Sequence, residues 1–170
     1  MQGDCFSHLI SRYSGKGVLL DSNLLLLYFV GLYDPERIGT FKRTYSQGFT
    51  VDDFDLLCRL LDCFDTVVTT PNILTEVSNL SNQLRNDERD SYFVVFANSA
   101  ALLTERYIES KKICVLAHFN RYGLTDSGTI SCAKGNYLVV TGDAPLAGCL
   151  QNLGIDVINF NHLKTIGFEI

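Results

Sequence analysis

The chain has 170 residues, of which 46% are hydrophobic and 19% charged, and it carries a net charge of −5. That length holds one sizeable core and not two, and that balance belongs to folded globular proteins and excludes a disordered chain. The longest apolar run, residues 24–32, falls far short of the roughly 20 residues that span a bilayer; the first residues also lack an apolar signal core, so neither a membrane segment nor a cleaved export signal is expected.

The first expected strand is Val18-Leu19-Leu20, entered through Lys16-Gly17 and ended by Asp21, with an apolar helix beginning at Leu24. Residues 34–49 are rich in turn formers and contain Lys42-Arg43, which reads as a loop or irregular insertion. Thr50 and Asp53 form an N-cap signal for a helix marked by Phe54, Leu57, Cys58, Leu61 and Phe64 at helical spacing. The β-branched run of residues 66–70 reads as a strand stopped by Pro71, which opens a helix carrying Ile73, Leu74, Glu76, Val77 and Leu80.

Residues 81–90 are the most polar stretch and are expected outside the core, before a long helix over residues 91–109. A strand is expected at residues 113–116. Residues 123–126 resemble a cap leading into a short helix that ends at Ala133. Residues 137–140 read as a strand ending in Thr141-Gly142-Asp143; a helix over residues 145–153 and a strand over residues 155–160 follow. Strands alternating with helices imply a parallel sheet covered on both faces, with ligands bound beyond the carboxyl ends of its strands.

Six cysteines (Cys5, Cys58, Cys63, Cys114, Cys132, Cys149) show no CxxC spacing, and His8, His118 and His162 are too dispersed to complete a zinc site or a proton relay. Buried free thiols in a reducing, cytoplasmic setting are expected. An acidic chain argues against nucleic acid as a ligand. The objection weakens if four of the acids belong to one cation site, because the rest of the chain is then close to neutral.

Asp21 and Asp143 each follow an apolar strand directly, where a side chain faces the crevice of a parallel α/β fold. The alternative for each is a turn former or helix cap, and Asp52, Asp53 and Asp55 are read that way. Four segments, VLLDSNLLL, TTPNILTEV, LTDSGTISCA and LVVTGDAPL, stand in the order and context of the acidic motifs of PIN domains. From Val18 to about Leu163 the chain therefore resembles a PIN-domain ribonuclease.

That resemblance implies one PIN-like domain, a three-layer α/β/α sandwich around a mainly parallel sheet, in which Asp21, Glu76, Asp126 and Asp143 ligate one or two Mg2+ or Mn2+ ions. Asn23 and Thr141 are implied as supporting residues, Asn23 bonded within the acidic cluster and Thr141 orienting a carboxylate or water. The implied reaction is endonucleolytic hydrolysis of RNA giving 5′-phosphate and 3′-hydroxyl ends. Toxin-type relatives imply an inhibitory antitoxin-like protein and a homodimer as partners.

The chain departs from compact PIN domains in residues 34–50 and 81–90, where Lys42, Arg43, Arg85 and Arg89 are either phosphate contacts or a solvated charged face. Two other readings compete with the nuclease. A catalytically silent PIN-like binding module normally lacks some of the acids. A haloacid-dehalogenase-type phosphatase needs a second aspartate where Asn23 stands and another acid soon after Asp143. A dinucleotide-binding dehydrogenase is excluded by Asp-Ser-Asn in place of a glycine-rich turn after the first strand.

Overall fold

The computed structural model describes residues 2–166. Five short strands, β1 (Val18–Leu20), β2 (Val67–Thr69), β3 (Thr104–Glu105), β4 (Leu138–Thr141) and β5 (Val157–Asn159), form one sheet in the order β3-β2-β1-β4-β5. Every pairing is parallel. The expected three-layer α/β/α architecture is therefore what the chain adopts, with an all-parallel sheet among the described residues.

The helices are α1 (Gln2–Tyr13), α2 (Ser22–Tyr33), α3 (Lys42–Ser46), α4 (Val51–Leu61), α5 (Pro71–Ser81), α6 (Asn86–Ala100), α7 (Ser110–Ile113), α8 (Phe119–Ala133), α9 (Ala144–Asn152) and α10 (Phe160–Ile166). The apolar run of residues 24–32 belongs to α2, which buries Leu24, Leu25, Leu26, Leu27, Phe29 and Val30 almost completely among β1, α4, α5 and α6. A helix apolar on all sides belongs inside a protein. No helix among the described residues is long and apolar enough to cross a membrane.

Side chains alternate across β4: Leu138 and Val140 join the larger core with α2, while Val139 joins a smaller one with Ile130, Leu146, Leu150 and Val157. Gly31 lets α2 approach α4 closely, since a Cβ there stands 2.2 Å from the Phe54 ring. Thr50 and Asp53 close a capping box on α4, and Asp53 also pairs with Lys164 of α10 at 2.9 Å.

The structure corrects several expectations. Residues 34–49 are not a loop: Pro35–Gly39 form a 3-10 turn, α3 follows, and Ile38, Phe41, Thr44 and Phe49 are buried. The Thr44 hydroxyl donates to the Ile38 carbonyl at 2.7 Å, holding the insertion together. Residues 81–90 are mostly exposed, as expected, but Ser81 bonds the buried Tyr92 hydroxyl at 2.7 Å, Leu84 is buried, and residues 86–90 begin α6 rather than a linker. An Arg37–Glu88 ion pair joins these two segments.

The long helix expected over residues 91–109 stops at Ala100, and β3 then pairs with β2 as an edge strand. Residues 113–116 form no strand: Ile113 ends α7 and alone packs inward, whereas Val115 is 82% exposed. Helix α1 was not foreseen; it buries Ile10 and Tyr13, and Arg12 and the Tyr13 hydroxyl reach Asp156 at 2.9 and 2.8 Å. The last strand is Val157–Asn159, shorter than expected, and α10 starts at Phe160. No disulfide occurs among the described residues. Cys58, Cys63, Cys114, Cys132 and Cys149 are free thiols; Cys114 is exposed, only Cys132 is fully buried, and the Cys5 side chain lies outside the described residues.

Candidate active site

The chain leaves β1 toward β2 on one side and comes back at β4 on the other, so β1 and β4 flank the point where strand order reverses. The helices that follow two such strands diverge and open a crevice at the carboxyl edge. Asp21 follows β1 and Asp143 stands two residues after β4, each acting as the N-cap of the next helix. Asp21 Oδ1 accepts from the Leu24 amide at 2.8 Å and Asp143 Oδ1 from the Leu146 amide at 2.8 Å. Capping satisfies free helix-end amides and sets both carboxylates at the mouth of the crevice.

Thr141, fully buried, bridges them. Its hydroxyl donates to Asp21 Oδ2 and accepts from the Asp143 amide at 2.9 Å, while the Gly142 amide donates to the same Asp21 oxygen at 3.0 Å. Asn161, at the start of α10, donates to the Gly142 carbonyl at 3.0 Å and fixes the same turn from outside.

Glu76 lies on α5, where Ser22 Oγ donates to its Oε2 at 3.0 Å. Asp126 lies on α8 beyond Gly123, whose φ of 70° and ψ of −166° break the helix there and redirect its second half. That conformation is easy for glycine and costly for other residues. Asp21, Ser22, Asn23, Arg43, Glu76, Asp126, Asp143 and Leu146 line one cleft of about 170 Å³. At about 30 Å³ per water, the cleft admits a small cluster of waters or a phosphoryl group.

Electrostatics bind the four acids into one group. Burial pushes the Asp21 carboxyl above its ordinary range, against the hydrogen bonds that favour its charge, and Asp143 adds to the rise. Asp126 is pushed up to about 7, first by burial and then by the charges of Glu76, Asp143 and Asp21. Asp126 makes no hydrogen bond among the described residues, and one oxygen each of Glu76 and Asp143 is likewise uncommitted.

Hard carboxylate oxygens of this kind suit Mg2+ or Mn2+. As the side chains stand, no three His, Cys, Asp or Glu groups among the described residues are near enough together to hold an ion. Both Asp21 oxygens are committed to hydrogen bonds, whereas Asp126, Glu76 and Asp143 each keep at least one oxygen free.

Asn23 lines the cleft but does not bond a carboxylate: its Oδ1 accepts from Arg43 Nε at 3.1 Å. Two participants were not singled out from the sequence as part of this cleft. Ser22 is recognisable afterwards as the polar residue between two acidic-site positions, whereas Arg43 reaches the cleft only because residues 34–49 fold back over α2. Of the histidines, His118 has a buried Nε2 without a partner and none lines the cleft. No family model, curated protein or solved structure matches the chain.

Proposed function

We propose that the chain is a metal-dependent endoribonuclease that hydrolyses RNA phosphodiester bonds in the cleft bounded by Asp21, Glu76, Asp126 and Asp143. One observation carries the reading: four carboxylates from four separate elements line one small cleft at the strand-order reversal. Capping accounts for the places of Asp21 and Asp143, but nothing in their own helices requires Glu76 and Asp126 to join them. The motif resemblance to PIN domains supports RNA as the substrate.

In this reading a bound Mg2+ or Mn2+ supplies charge neutralisation at the phosphate and lowers the pKa of the attacking water. Glu76, Asp126 and Asp143 would hold the cation through their uncommitted oxygens, while Asp21, held by Thr141, would add negative charge beside it. The oxygen of Asp126 not on the cation would accept the proton of the attacking water. Arg43, held by Asn23, faces the negative charge that develops on the phosphoryl oxygens. Water displaces the 3′ oxygen, leaving a 5′ phosphate and a 3′ hydroxyl. A homodimer and an antitoxin-like partner rest on the resemblance alone.

A second reading, a PIN-like module that binds RNA without cutting it, is favoured by Asp21 and Asp143 already serving as helix caps. Incubating the purified chain with varied RNAs in Mn2+ or Mg2+ separates the two. Cleavage with 5′-phosphate ends is expected, and Asp143→Asn should lower it about a thousandfold, the equivalent of ~4 kcal/mol. Cyclic 2′,3′-phosphate ends, or activity that survives exhaustive chelation, overturn the hydrolytic mechanism; binding without cleavage establishes the silent module.

A further inference from the structure

Helix α3 presents consecutive cations to two different cavities. Arg43 lines the carboxylate cleft, and Lys42 lines a second cavity of about 170 Å³ with Arg37, Thr40, Gln83, Arg85 and Glu88. Neighbouring helical residues point about 100° apart, so one short helix separates the cavities and serves both. The second cavity holds three cations against one carboxylate in a chain whose net charge is −5.

Of the three cations there, one is unpaired, one is weakly paired and one is held by a carboxylate. Lys42 is exposed and makes no ion pair among the described residues, and Arg85 meets only Asp87 at 3.4 Å on an exposed surface, a contact worth little. Arg37 is held by Glu88, which fixes a planar donor fork beside the opening. Arg89 lies elsewhere: it sits over the Phe93 ring at 5.5 Å and lines neither cavity.

We infer that α3 is a phosphate divider: Arg43 holds the phosphate in the carboxylate cleft, and Lys42, with Arg37 and Arg85, holds a flanking phosphate of the same single strand. The assignment of the cleft phosphate rests on the nuclease reading above; the flanking site does not.

The test is fluorescence anisotropy with a 5′-labelled single-stranded RNA dodecamer in chelator, over a salt series, with cleavage measured separately in Mn2+. Lys42→Glu and Arg85→Glu alter exposed side chains and should leave the fold intact. Each is expected to weaken binding about tenfold at low salt. Lys42→Ala combined with Arg85→Ala should flatten the plot of log affinity against log salt by roughly 0.7, the value for one phosphate contact on a single strand. Lys134→Glu, beyond the C-terminal end of α8 at the opposite edge of the sheet, should bind as the parent does. Variants at Lys42 and Arg85 that bind and cleave like the parent overturn the flanking site and leave the nuclease reading standing. Charge-dependent binding without cleavage at any metal concentration does the reverse. A parent that fails to bind the RNA overturns the flanking site outright.

Discussion

Asp126 makes the carboxylate cluster measurable without substrate. Its carboxyl is pushed from 3.8 to about 7 in the folded chain, so between those values the folded state holds a proton that the unfolded state has lost. Stability therefore falls as pH rises through this window and is level above it. At about 1.4 kcal/mol per pH unit the full effect has a ceiling of roughly 4 kcal/mol, and because Asp126 is only part-buried, solvent screening brings this to about 2 kcal/mol. Asp126→Asn removes the charge while keeping the shape. Urea unfolding in chelator at pH 5 and pH 8 should show the variant's advantage over the parent growing by about 1–2 kcal/mol at the higher pH. Mn2+ added at pH 8 should offset the same repulsion in the parent by binding the folded state. An advantage that stays constant between the two pH values, or one that shrinks at pH 8, refutes the placement of Asp126 against Glu76, Asp143 and Asp21.

Two further substitutions test the framework around the cleft. Thr141→Val removes the hydroxyl that bonds Asp21 and receives the Asp143 amide, leaving a buried carboxylate with less compensation; a loss of about 1–3 kcal/mol is expected from the urea midpoint, and a change under about 0.5 kcal/mol counts against the bridge. Gly31→Ala drives a Cβ into the Phe54 ring and should cost about 1–3 kcal/mol, with Phe54→Leu in the same chain recovering part of it in a double-mutant cycle.

The central strands could be read from the sequence because buried parallel strands are continuous apolar runs ended by breakers, as Val18–Leu20 and Leu138–Thr141 are. Strand β3 could not: it has two residues, both polar in type, and it exists only because the β2 edge accepts it. Residues 113–116 misled in the other direction: their composition favours a strand, but Ile113 closes α7 and Val115 faces solvent. In the cleft, Asp21 and Asp143 were visible from local grammar, as acids between strand and helix. Glu76 and Asp126 needed the motif context, since a helix position alone does not say which way a side chain faces. Arg43 was hidden by its segment, where Pro35, Gly39 and Gly48 suggest a loop while Ile38, Phe41 and Phe49 bury themselves to fold it.

The strand order has a consequence for the chain as it is made. Strand β1 lies at the centre of the sheet, and Val18 pairs on one side with Val67 but on the other with Leu138. Until that late segment leaves the ribosome, one edge of β1 has no partner, and Asp21 lacks Thr141 and Gly142. Pairings so distant in sequence form slowly and leave apolar strand edges open meanwhile. A nascent chain thus carries half a sheet and no assembled cleft, and the growing protein most needs chaperone protection between the emergence of β2 and that of β4.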